Sequence, residues 1–172
     1  RNNSVNGVFL ILNNMSGKLE KDAEKSQKYG ICIRDMDQNS TYSDREDLLI
    51  ERCPSSMIEK IGCPLDSYWE ATYSFGGADK GDYFYKPLNA AWDNTDAKSD
   101  DLAYLCKSHS LGDSSPDIIS YSIPLIDDNG YPYGILGVEL TTKYLSSLIP
   151  SKELDKSSNC CYILAMKNKN DN

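Results

Sequence analysis

The sequence predicts an α+β domain in which an antiparallel sheet is flanked by helices. Three observations carry that expectation. Two strand-length runs come early, at 7–12 and 29–34. A middle stretch holds helix signals and clustered aromatics. Three strand-like runs then close the chain, and the last two are joined by Asp127-Asp128-Asn129-Gly130. An Asn-Gly between two β-rich runs is the strongest short-range hairpin signal. Two strands, helices, then three strands suits a sheet with helices packed to one side.

Gly7-Val8-Phe9-Leu10-Ile11-Leu12 is a compact apolar run ended by Asn13-Asn14-Met15-Ser16-Gly17. Residues 18–28 are highly charged and read as an exposed helical turn or loop. Tyr29-Gly30-Ile31-Cys32-Ile33-Arg34 alternates and reads as the second strand. From Asp47 to Ile61, apolar residues at Leu48, Leu49, Ile50, Met57, Ile58 and Ile61 predict two helices, the second beginning at Pro54. Cys63-Pro64 ends it. Residues 68–73 are aromatic, and Phe75-Gly76-Gly77 reads as a flexible link. Asp82-Tyr83-Phe84-Tyr85-Lys86-Pro87-Leu88 is expected to be a strand, followed by a polar excursion through Asp101 that contains Trp92. Leu102 to Cys106 is short and apolar, and Ser108 to Pro116 reads as a loop. Gly134 and Gly137 lie inside the last strand, which implies a bulge or close packing against the backbone. Thr141 is placed to cap a short helix running through Leu148.

Composition narrows the function. A chain of 172 residues with 40% hydrophobic content can bury one core of its own. A net charge of −8 without a Lys/Arg stripe argues against nucleic acid. No apolar run approaches the roughly 20 residues that a membrane-spanning helix needs. The chain opens at Arg1 and closes on polar residues, so it reads as a piece excised from a longer protein. Six cysteines are present (Cys32, Cys53, Cys63, Cys106, Cys160, Cys161), and Cys53 with Cys63 is the favoured pair if any disulfide forms. Without Cys-x-x-Cys, and with His109 as the lone histidine, a zinc site has no support.

The pattern from Ser122 to Leu140 (Ser-x-Pro-Leu-Ile-Asp-x-x-Gly, then Tyr-Gly-x-x-Gly-Val-Glu-Leu), followed by a helix with Tyr144-Leu145, resembles the last two strands of a Cache domain. Cache domains are PAS-like sensor modules on the outer side of bacterial membranes. The resemblance extends more loosely from about Val5 to Pro150. It implies a PAS-like antiparallel sheet over residues 1–150, of the membrane-distal type in double Cache modules. Residues 151–172 then form a linker and the start of a following strand or module. The long helix that usually precedes such a domain is not in this sequence.

The resemblance also places residues 68–92 and Asp117 around a ligand cavity. The candidate ligand-binding residues are Tyr68, Trp69, Tyr73, Asp82, Tyr83, Tyr85, Trp92, Asp117 and Tyr121. Tyrosine and tryptophan supply flat apolar area with a polar handle, as a pocket for a small polar molecule requires. Half-buried strand and loop aromatics would give the same pattern without a ligand. Amino-acid-binding relatives carry Arg-x-Trp-Tyr, but here Asp82-Tyr83-Phe84-Tyr85 puts an acid where the arginine holds a carboxylate. Asp117 matches the acid that grips the ligand amine. Two acids without an arginine favour a cation or a neutral polar molecule, unless Lys80 or Lys86 points inward.

Asp35, Asp37, Asn39, Thr41, Ser43 and Glu46 have the spacing of a calcium loop, of which Asp35, Asp37, Asn39 and Glu46 are the candidate ligands. Ser40 replaces the turn glycine, and a strand precedes the loop where a helix should. A solvated turn that caps the next helix with Ser43 or Asp44 fits better. His109 between Ser108 and Ser110 is not a triad, and a cysteine nucleophile using His109 ranks last. The expectation is therefore a non-enzymatic, cofactor-free sensor on the extracellular or periplasmic face of the membrane. Its partner is a small-molecule ligand. The parent protein would be membrane-anchored, relay to a cytoplasmic output domain, and pair through flanking helices outside this sequence. The alternative is a cell-surface domain whose tyrosines bind another protein, with a hydrolase third.

Overall fold

The computed structural model describes residues 5–13, 27–35, 48–75, 81–110 and 117–149. They form a mixed α+β fold around one eight-stranded sheet. In chain order the strands are β1 (Val5–Leu12), β2 (Tyr29–Asp35), β3 (Leu48–Arg52), β4 (Leu65–Glu70), β5 (Tyr104–Leu105), β6 (His109–Ser110), β7 (Asp117–Ile126) and β8 (Pro132–Thr141). The helices are α1 (Ile58–Ile61), α2 (Asp82–Asp93) and α3 (Thr142–Leu148). The strand order is β4-β3-β2-β1-β8-β7-β5, with β6 also on β7. Every pairing is antiparallel except β3 with β4.

The closing hairpin forms as its sequence indicates. Asp127 Oδ1 accepts from the amides of Asn129 and Tyr131, and Gly130 takes φ +80°. That conformation is open to glycine at no steric cost. β7 and β8 then pair from Ile118↔Thr141 to Ile126↔Pro132. Close packing explains Gly137: a Cβ there would run into the Phe9 ring on β1. The Thr141 hydroxyl accepts from the Tyr144 amide at 3.2 Å and caps α3, as expected.

Three segments differ from the sequence expectation. Leu48–Arg52 is a strand, not a helix, and the helical part is confined to a 3-10 turn at Ser55–Met57 running into α1. A three-residue apolar run carries no period that separates helix from strand, and here pairing with β2 decides. Residues 108–110 are not all loop, because His109–Ser110 pairs with Asp117–Ile118. The expected strand at 82–88 is the start of α2. Its buried residues, Phe84, Pro87, Leu88 and Ala91, fall at i, i+3, i+4 and i+7, which is one helix face. With Phe9, Ile11, Cys32, Tyr73, Phe75 and Ile135, Phe84 and Leu88 form the core between α2 and the sheet.

Pro87 sits inside α2 and cannot donate to the Tyr83 carbonyl one turn earlier. That carbonyl instead accepts from Ser122 Oγ on β7 at 2.6 Å, which ties the first turn of α2 to the sheet. Ser122→Ala should therefore cost about 1 kcal/mol by leaving a partly buried carbonyl unpaired. In a Pro87→Ala background the restored amide can serve that carbonyl, so the same serine change should cost less. Urea unfolding of the four proteins measures this coupling, and strict additivity would rule it out.

Candidate functional site

The sheet's two faces are filled against the usual rule. Toward α2, successive rows across the strands are Ile11, Gly30 and Ile135; then Phe9, Cys32, Gly137 and Ser122; then Gly7, Arg34, Glu139 and Ser120. Arg34, Glu139, Ser120 and Ser122 are all buried. The opposite face carries Val8, Leu10, Ile31, Ile33, Leu136 and Val138, of which Val8 and Leu136 are 47% and 40% exposed. Charge lies on the helix-covered side, and much of the aliphatic surface lies on the other.

The charged row is built around Gly7. Arg34 on β2 and Glu139 on β8 both lie opposite that residue on β1, and the arginine reaches across it. Its Nε and Nη2 donate to the two carboxylate oxygens of Glu139 at 2.7 and 2.8 Å, a bidentate pair. A Cβ on Gly7 would stand 2.5 Å from Glu139 Oε2, so a side chain there would displace the carboxylate. Glu51 on β3 pairs with Arg34 Nη1. Burial works against the charged guanidinium, but Glu139 outweighs it and raises the Arg34 pKa above its ordinary value.

Hydroxyl and thiol groups adjoin this row. Lys28 and Tyr73 exchange backbone hydrogen bonds of 2.9 and 2.7 Å, which lays the Tyr73 ring over Gly30. The Tyr73 hydroxyl is buried beside the Cys32 thiol and has no well-formed hydrogen bond among the described residues. Tyr83, in the first turn of α2, packs edge-on against Phe9 with ring centroids 5.3 Å apart. Burial, reinforced by Glu139, pushes the Cys32 thiol up to about 11 and raises Tyr83. Tyr73 is raised well above the usual phenol range, again chiefly by burial. At neutral pH these groups keep their protons and act as donors.

Of the residues singled out from sequence, Tyr73, Tyr83 and Tyr85 come together around Phe75 and Phe84. Asp82 sits at the start of α2, 2.7 Å from Lys86 Nζ and 3.3 Å from the Tyr104 hydroxyl. Its charge is offset by Lys86, whose side chain is 53% exposed and does not point inward. Lys80 lies outside the described residues. Trp92, on the last turn of α2, meets Tyr131 edge-on at 4.7 Å, with its buried Nε1 unpaired among the described residues. Tyr68 is 83% exposed on β4, and neighbouring Trp69 donates to the Cys53 carbonyl at 3.2 Å. Asp117 is exposed at the start of β7, and Tyr121 lies on the face opposite Ser120 and Ser122. The structure thus does not bring Asp82 and Asp117 to one place. Arg34, Glu139 and Glu51 were not singled out from sequence at all.

Cys53 and Cys63 are both free thiols, which corrects the expected pairing, and burial raises the Cys53 pKa. Cys160, Cys161 and all of 151–172 lie outside the described residues. So do Asp37, Asn39 and Glu46 of the calcium candidate, leaving Asp35 at the end of β2. Among the described residues no helix is long and apolar enough to cross a membrane.

No family model matches the sequence, and no curated protein matches it. Among solved structures, the extracellular domain of a protein assigned as a histidine kinase is similar at a TM-score of 0.42 and 12% identity. The match covers 86% of this chain and 40% of the other.

Proposed function

We propose that this chain is the extracellular ligand-sensing domain of a bacterial membrane receptor, of the Cache type. It binds a small polar molecule non-covalently and biases an output domain elsewhere in the protein. The observation that supports this reading is the polar row on the helix-covered face. Arg34, Glu139, Glu51 and Ser120, with Tyr73 and Tyr83 beside them, fill a position where a purely structural sheet would bury aliphatic side chains. Buried ion pairs give little net stability against apolar replacements, so stability alone is a poor reason for this one. Deviations from the local rules of folding concentrate at functional sites.

The ligand site is accordingly centred on Tyr73, Tyr83 and the Arg34–Glu139 row, beside the first turn of α2. The outlying Tyr68, Trp69, Asp117 and Tyr121 do not contribute to it. The row itself sets one guanidinium against two carboxylates, which favours an amine-bearing or neutral polar ligand at that end of the site, away from the buried Lys28 beside Phe84. A bound molecule would fix the first turn of α2 against the sheet and favour one arrangement of the domain. A thermal-shift screen against amines, amino acids, organic acids and nucleosides tests the reading. A ligand at 100 times its Kd should add about 2.7 kcal/mol of stability. Hits confined to dicarboxylates would contradict the charge argument.

The Tyr73 hydroxyl gives a sharper test. Its burial without a good partner costs stability, so Tyr73→Phe should stabilise the unliganded protein by about 1 kcal/mol. Urea denaturation measures this, and a destabilised variant would show that the hydroxyl serves the fold.

One observation favours a second reading, a protein-binding surface. The opposite face exposes Val8, Tyr29 (58%), Tyr121 (37%) and Leu136 together. Placing a lysine at Leu136 should abolish partner binding on that reading and leave small-molecule binding intact on the first.

A further inference from the structure

A nucleophilic pair stands at the end of the charged row. Cys106 follows β5 and bonds to β7, its amide donating to the Ser120 carbonyl at 2.9 Å. Its sulfur in turn accepts from the Ser120 amide at 3.1 Å. His109, on β6, brings Nδ1 within 3.6 Å of that sulfur and 3.2 Å of the Lys107 carbonyl. The same Lys107 carbonyl lies 3.2 Å from Cys106 Sγ, so it accepts from whichever of the two groups carries the proton. When the thiol proton passes to the imidazole, the Nδ1 proton is shared between that carbonyl and the sulfur, and with the Ser120 amide it stabilises the thiolate. Cys106 is 9% exposed, while Cys32 and Cys53 are more deeply buried.

We propose that Cys106 and His109 form a thiolate–imidazolium pair that makes Cys106 a modification site for small hydroperoxides. The thiolate attacks the distal peroxide oxygen. A sulfur–oxygen bond forms as the oxygen–oxygen bond breaks, leaving Cys106 as a sulfenic acid. The departing hydroxide or alkoxide takes the proton of the His109 imidazolium and leaves as water or an alcohol. Sulfur loses two electrons and the peroxide gains them, so no further reactant is needed. Burial of the sulfur restricts the site to small oxidants.

The surrounding charges point the same way. Burial raises the Cys106 pKa, but His109 and the Ser120 amide outweigh it and bring it below the ordinary thiol value. The bond to Cys106 leads in raising the His109 pKa, and Glu139 on β8 adds to it. β7 contributes only the Ser120 amide, and Lys107 is exposed beside the pair. Thiolate persists above the lowered Cys106 pKa, and imidazolium persists below the raised His109 pKa. The peroxide reaction should therefore be fastest between the two.

The test exposes the whole chain to hydrogen peroxide, traps sulfenic acid with dimedone, and quantifies each cysteine by mass spectrometry from pH 5 to 9. Cys106 should react at least about tenfold faster than Cys32 and Cys53 at neutral pH, with a bell-shaped profile. His109→Asn should slow Cys106 by about tenfold or more and move its activity toward alkaline pH, with circular dichroism unchanged. If that variant loses its fold, the wild-type profile decides alone. Cys106 reacting no faster than the other buried thiols, or a rate that simply climbs with pH, would overturn the pair.

Discussion

Replacing Arg34 by methionine is expected to destabilise the domain by about 3–5 kcal/mol, because it strands buried carboxylates that the guanidinium now neutralises. The side chains of Arg34, Glu139 and Glu51 are 8%, 7% and 19% exposed, so water cannot readily take over the missing contacts. The deficit should shrink on acidification, since protonating the stranded carboxylates removes the uncompensated charge. Arg34→Met combined with Glu139→Gln should recover much of the loss, which would separate charge from packing. Chemical denaturation at neutral and acidic pH measures all three effects. A cost below about 1 kcal/mol would place the row in solvent and remove the reason for treating it as a site.

Phe84→Ala should produce a loss of similar size, about 3–5 kcal/mol, for a different reason. The Phe84 ring is fully buried, stacks on Phe75 at 5.1 Å, meets Tyr85 edge-on at 5.0 Å and has Lys28 Nζ at 6.0 Å. Truncation opens a cavity between α2 and the sheet and removes the ring that positions Tyr85 and Phe75. This loss should be insensitive to pH, in contrast to that at Arg34. Tyr68→Ala serves as the control, because an exposed tyrosine on an edge strand should change stability by no more than about 0.5 kcal/mol. Equal effects at the two positions would mean that α2 does not cover the core.

The sheet's central strands, β1, β2, β7 and β8, were legible because each carries a local signal that tertiary packing does not reverse. Val8 to Leu12 is too short for a helix, Asp127 and Gly130 impose a turn, and Thr141 supplies a cap. α2 was hidden for a physical reason. Tyr83, Phe84 and Tyr85 favour strands as residue types, and Pro87 argues against a helix interior. The period linking Phe84 to Ala91 becomes visible only when the window runs past Leu88 into the polar residues beyond. Leu48 to Ile50 failed in the opposite direction, since a short apolar run fits both periods and the later proline suggested a helix.

The candidate site was less legible than the fold. Alternation along β2 taken at face value turns Ile31 and Ile33 inward and Arg34 outward, whereas the structure does the reverse. Glu139 on β8 is inverted in the same way. A sequence shows the period of a strand but not which of its faces a helix will cover. The aromatic residues around α2 were singled out for their type, which suits a pocket and a core equally. Their charged neighbours were missed because a lone arginine or glutamate on a strand signals solvent.

The most direct test of the sensing account is a calorimetric titration of the first amine or neutral polar ligand found, into wild-type and Tyr73→Phe protein. The account predicts that the variant, although at least as stable without ligand, binds about tenfold or more weakly, because a phenol placed to pair with the ligand has been removed. Equal affinity for the two proteins would contradict it and put the ligand elsewhere in the chain.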